Sequence, residues 1–192
     1  MGVQEEAERF EPTDLAQWSD WLALHHADSR GVWLVTARRA TGRQAFDYEA
    51  GVVEALRWGW VDSTQRSVDD ERTMMWFAPR RPGSVWTRNN KERVARLEAE
   101  GRMEPAGAAA VEAARASGMW TLMDAVEDRV VPDDLAAAFE EHPGAWEHWE
   151  SFPASAQKQM LAWIVLAKRP ATRAARVVET ASRAADGERA RS

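Results

Sequence analysis

The 192-residue chain is 45% hydrophobic and 29% charged, with a formal net charge of −6, a balance that suits a globular protein large enough to bury a real core. It contains no cysteine, which excludes disulfides, thiolate catalysis and cysteine-ligated zinc or iron–sulfur clusters. No apolar run reaches the roughly 18–20 residues of a membrane span. The acidic start MGVQEEAERFEP lacks the apolar stretch of a secretory signal. Met1-Gly2 opens the chain, but Glu6 stands where a myristoylation signal has Ser or Thr. The expected location is therefore the cytoplasm, with no membrane partner.

In chain order, Leu15, Trp18, Trp21, Leu22 and His25 recur at helical spacing and predict a helix over 13–26 capped by Thr13. Gly31 opens a buried strand, Val32 to Val35. Thr41-Gly42 marks a turn, and Ala45 to Tyr48 reads as a second strand. A helix from Glu49 to Trp58 ends at Gly59, and Trp60 to Ser63 emerges from it as a strand. The polar stretch Thr64 to Glu71 reads as a loop, and Thr73 to Ala78 as the next strand, closed by Pro79 and Pro82. Asn89 or Asn90 can cap a helix to Glu100, with Gly101 past its end, and a further helix runs from Pro105 to Ser117. Val130 to Asp133 marks a boundary. Beyond it the pattern is helical over 133–141, 145–152, 155–168 and 171–185, punctuated by Pro143-Gly144, Pro153 and Pro170, with a frayed tail from Asp186. The expected fold is α+β: a small antiparallel sheet packed with helices over 1–128, then an all-helical part over 129–192.

Charge is unevenly distributed. Residues 72–102 carry eight basic and three acidic side chains, residues 157–192 also eight and three, and the intervening 104–150 two and eleven. Such blocks can form an anion-binding face, but mutual neutralisation is the favoured reading.

Four segments carry a family resemblance. Ala55-Leu56-Arg57-Trp58-Gly59-Trp60-Val61-Asp62-Ser63 resembles the "ALxFGWID" signature of YdeI/OmpD-associated proteins. Phe77 to Asn90, with Pro79-Arg80-Arg81-Pro82 and Trp86, is similar to their "PRKPxSxWSxxN" segment, and Gly101 to Gly107 to their "GRMxPAG". Ile164 to Arg173 resembles the closing "IxxAKRPETRxxR". This chain has Trp58 where Phe is usual, Thr87 for Ser and Ala171 for Glu. The resemblance implies a bacterial protein associated with bacteriocin protection, and it brings no catalytic residues with it.

Eleven tryptophans stand out. Filling a core is the favoured reading, and an aromatic-walled ligand pocket the sharper one. Asp62, between Trp60 and the Arg80-Arg81 loop, reads either as half of a structural ion pair or as a ligand-orienting group or general base. The expected ligand site comprises Trp58, Trp60, Asp62, Arg80, Arg81, Trp86 and Asn90, with Asp62 the candidate catalytic residue. Lys168, Arg169, Arg173 and Arg176 form a candidate anion-binding face on the last helix, weighed against pairing with the acids of 133–150. His25/His26 and His142/His148 have no metal-ligand spacing, and no phosphate loop, dinucleotide fingerprint or nucleophile elbow is present. No metal or cofactor is called for, and no feature specifies an oligomeric state.

The expected function is a cytoplasmic stress- or toxin-protection protein that binds a small anionic or aromatic molecule. The alternatives are a hydrolase or isomerase using Asp62 as acid or base, and an interaction module using the basic C-terminal helices, with nucleic acid the less favoured partner.

Overall fold

The computed structural model describes residues 4–190, so Met1 and Gly2 of the myristoylation reading, and the last two residues of the tail, lie outside the described residues. The chain forms two compact units, residues 1–84 with 89–117, and residues 85–88 with 118–192.

The first unit is built on a four-stranded sheet ordered β1-β2-β4-β3, from β1 (Arg9–Phe10), β2 (Val32–Ala37), β3 (Trp60–Ser67) and β4 (Arg72–Pro79). β4 pairs antiparallel with β2, from Val32↔Phe77 to Ala37↔Arg72, and antiparallel with β3. The α+β class holds, but the sheet is mixed rather than antiparallel, because β1 runs parallel to β2. The intervening helix α1 (Leu15–His25) explains this: a helical crossover returns the chain in the same direction, whereas a tight turn would reverse it.

Period-2 alternation gives the sheet two apolar faces. Leu34, Trp60 and Phe77 face Trp18, Trp21 and Leu22 of α1 and Val52 and Ala55 of α2 (Tyr48–Arg57). Trp33, Val35, Met74 and Trp76 line the opposite face, where Trp33 and Trp76 meet edge-on with centroids 5.3 Å apart. A Cβ on Gly31, at φ 144°, would lie 2.2 Å from the Trp76 ring, so a side chain there is excluded.

Three local expectations change. The cap of α1 is Asp14, whose carboxylate accepts from the Gln17 N–H at 2.8 Å, while the Thr13 N–H donates to the Gln17 side chain. No strand forms over 45–48: Asp47 accepts from the Ala50 N–H at 2.7 Å and starts α2 at Tyr48 instead. The presumed loop after Ser63 is still strand through Ser67, with a bulge between Asp62 and Gln65. Its polar residues suit an exposed edge, which composition alone does not distinguish from a loop. Helices α3 (Arg88–Ala99) and α4 (Pro105–Ser117) follow. Asn89 and Asn90 lie inside α3 and are not its cap. α4 lies against α2, with Gly107 so close that a Cβ would sit 2.1 Å from the Arg57 carbonyl oxygen.

The second unit is helical: α5 (Asp124–Glu127), α6 (Asp133–Glu140), α7 (Ala145–Ser151), α8 (Ala154–Val165) and α9 (Pro170–Ala185). Leu135, Phe139, Trp149, Met160, Leu161, Ile164 and Ala181 make its core. As far as Ala190 the tail after Asp186 is held rather than frayed. Gly187, at φ 72°, lets the Glu188 N–H return to the Arg183 carbonyl at 2.8 Å, and Ala190 packs on the core.

Candidate functional site

The helix start at Tyr48 brings the only tyrosine of the chain to β3. Its hydroxyl donates to Asp62 Oδ2 at 2.5 Å. Burial, and then the hydrogen bond to the Asp62 carboxylate, push the Tyr48 phenol up to about 12. It therefore stays neutral at any physiological pH. Burial pulls Arg80 down to about 10, and the nearby Asp62 carboxylate opposes that shift. The Arg80 backbone N–H is fixed on the Gly59 carbonyl at 2.9 Å. Beside this pair, Arg93 grips Glu49 through two contacts of 2.5 and 3.0 Å and bonds Asn90 Oδ1 at 2.8 Å, which holds the Glu49 carboxyl below its usual range.

Next to Tyr48 a cavity of about 470 Å³ opens on the face of the sheet that α1 and α2 cover. Leu34, Phe46, Met75 and Phe77 supply its apolar surface, and Gly51 lies against Phe46, leaving no room for a Cβ (2.9 Å). Thr36, Gln65 and Thr73, alternate residues of their strands, add hydroxyl and amide groups, and Arg38, Arg39 and Gln44 come from the segment leaving β2. Arg38 is already bound to Ser67 Oγ and the Asp69 carbonyl. Among the described residues the Arg39 guanidinium makes no hydrogen bond or ion pair, and Arg39 is exposed.

The residues singled out in the sequence are dispersed. Trp60 is core, 1% exposed, with its indole N–H on the His26 carbonyl at 3.3 Å. Trp58 packs tilted against His26, centroids 4.3 Å apart, and among the described residues its buried indole nitrogen has no hydrogen-bond partner. Asp62 pairs with Tyr48, as above. Arg81 is exposed, its N–H capped by Ser84 Oγ at 3.1 Å. Asn90 serves Arg93. Trp86 belongs to the second unit, 2% exposed, with its ring 5.1 Å from Trp120. The cavity residues were missed because Ala45 to Tyr48 read as a strand and Arg38 and Arg39 were not singled out. The only available signal was two adjacent arginines directly after a buried strand.

In the second unit Arg173 forms a bidentate pair with Asp134 at 2.8 and 2.9 Å. Arg176 donates to the Trp163 carbonyl and lies over the Trp163 ring, 5.0 Å from its centroid. Arg88–Asp128 and Lys158–Glu127 also join basic to acidic segments. Lys168 and Arg169 make no side-chain hydrogen bond or ion pair among the described residues. Among those residues no helix is long and apolar enough to cross a membrane.

Fold and site thus define a two-part α+β protein: a sheet unit holding a cavity, and a helical unit. The chain belongs to the family described as Domain of unknown function (DUF8412), which matches residues 10–110. Residues 128–187 are a domain of the Bacteriocin-protection, YdeI or OmpD-Associated family. The resemblance read in the sequence is therefore correct for the C-terminal part. Its closing motif, Ile164 to Arg173, falls inside that match, whereas two of the earlier motifs (Ala55–Ser63 and Phe77–Asn90) and Gly101–Gly107 fall in the first. No curated protein and no solved structure matches the chain.

Proposed function

We propose that the protein binds a small organic molecule in the cavity of its first unit, and that this binding serves a cytoplasmic protective role of the bacteriocin-protection type. The observation that carries the reading is the cavity itself. Its volume of about 470 Å³ lies within the range of small-molecule sites, and it combines an apolar floor with few polar groups. A sheet face otherwise packed by Trp18, Trp21 and Val52 leaves this stretch open, so the opening is not a consequence of missing hydrophobic residues. Arg39, exposed at its rim, favours an anionic ligand. The helical unit supports the protective role only through its family membership.

The test is a thermal-shift and tryptophan-fluorescence screen against antibacterial compounds and metabolites. A ligand at 100 times its Kd adds about 2.7 kcal/mol to stability. Thr36→Trp, which fills the cavity from β2, is expected to abolish the response of every true ligand. Hits that survive Thr36→Trp, or a broad panel without hits, would overturn the reading.

A further inference from the structure

The two ends of the cavity differ in chemistry, and the strand register sets their separation. Asp62 pairs with Phe77, which pairs with Val32, so the Tyr48 hydroxyl lies level with the start of β2. Arg39 lies two residues past Ala37, which pairs with Arg72 at the far end. Five residues of strand separate these levels, about 17 Å. Leu34 and Met75 lie between them along the cavity wall, with Phe77 at the Asp62 level.

At the Arg39 end, positive charge is uncompensated. Arg38 is bound only to a hydroxyl and a carbonyl, and no carboxylate pairs with either arginine among the described residues. Asp47, the one acid in the lining, uses Oδ1 on the Ala50 N–H at the start of α2. At the other end the Tyr48 proton is committed to Asp62, so the phenol oxygen has only lone pairs left, and the carboxylate behind it makes them better acceptors. That end asks for a donor.

We propose, building on the cavity reading above, that the ligand is an elongated amphipathic organic acid. Its anionic group is held by Arg39, its apolar body lies on Leu34, Met75 and Phe77, and a hydroxyl or N–H at the far end donates to Tyr48. A plain fatty acid satisfies two of these three demands, and a neutral diol a different two.

Calorimetric titration with three probes of one length tests each end separately: 12-hydroxydodecanoate, dodecanoate and 1,12-dodecanediol. The hydroxy acid is expected to bind tightest, about tenfold tighter than the diol and about fivefold tighter than the plain acid. Arg39→Gln should erase the preference for the acid over the diol, and Arg39→Lys should restore part of it. Tyr48→Phe should erase only the preference for the terminal hydroxyl. Arg39 and Tyr48 are exposed, so unchanged melting temperatures of both variants serve as the folding control. Equal affinity for the hydroxy acid and the diol, no binding of the hydroxy acid, or preferences that survive both substitutions would each overturn the proposal. If the screen instead yields neutral or cationic ligands that Thr36→Trp abolishes, the cavity reading stands and this assignment of its two ends falls.

Discussion

The two units use the same aromatic and basic residue types to different ends. In the helical unit, Phe139 lies between Trp146 and Trp149, centroids 4.9 and 5.4 Å away, and the core closes around them. Two of its arginines are committed, Arg173 to Asp134 and Arg176 to Trp163, while Arg169 makes no side-chain hydrogen bond or ion pair among the described residues. On the helix-covered face of the sheet unit Trp18, Trp21 and Trp60 gather over one end, where Trp18 stacks on Trp21 and meets Phe77 edge-on. The other end of the same face is left to Phe46, Met75 and a cavity, with Arg39 uncommitted beside it. A helix bundle can close all round on itself, whereas a sheet face longer than the helices covering it leaves a concave remainder. Recognition chemistry is accordingly sought in the first unit.

The largest expected effects test whether both tryptophan clusters are core. Trp18→Ala in the first unit and Trp149→Ala in the second should each cost about 3–5 kcal/mol in urea unfolding. Trp18→Ala also strips the Gly51 carbonyl of its indole donor, now at 3.1 Å. A cost under about 1 kcal/mol at either position would show that its cluster is not closed packing.

A somewhat smaller loss is expected at a buried charge found in the first unit. Glu54 is 3% exposed and takes hydrogen bonds from Arg57 at 2.6 Å and Ser19 at 2.7 Å. Arg57→Met leaves that carboxylate without its closest cation and should cost about 3 kcal/mol. Replacing Glu54 as well, by Gln, should recover part of the loss. Additive costs in the double variant would instead mean that the two residues do not act as a pair.

Tyr48 gives a spectroscopic reading of the cavity's edge. As the only tyrosine, it should dominate the tyrosinate absorbance and titrate near 12 in the folded protein. The unfolded phenol ionises near its ordinary value of about 10. The neutral form is thus favoured by folding, its contribution is complete below pH 10, and it is lost as pH rises from about 10 through 12. Asp62→Asn should bring the midpoint down, and an unmoved midpoint would remove the carboxylate from this account. The smallest effect belongs to Arg43–Glu71, a 2.7 Å pair with both side chains more than half exposed. Arg43→Gln should change stability by no more than about 0.5 kcal/mol, measured in the same urea experiment.

Much of the architecture is written locally. Leu15 to His25, Pro105 to Ser117 and Pro170 to Ala185 read as helices because their apolar spacing and their Pro and Gly boundaries are short-range signals. The all-apolar run of β4 marks a central strand buried on both faces in the same way. The boundary errors arose where one residue had two uses. Asp47 caps a helix where alternation suggested a strand, and polar Gln65 to Ser67 form an edge strand where polarity suggested a loop.

The candidate site was much less legible. Asp62 was visible as a carboxylate beside tryptophans, but its hydrogen bond to Tyr48, fourteen residues earlier, was not. Trp60 stood beside it in sequence and went to the core under α1 and α2. By itself the sequence determined the classes of element, the α+β order and the family of the C-terminal part, because periodicity, capping and motifs act over a few residues. Only the tertiary structure decided that β1 runs parallel, that Phe46 leaves a cavity beside Gly51, and which arginines remain unspent. Strand pairing, cavities and charge pairing all join residues distant in the chain, and their outcome depends on which competing partner gets there.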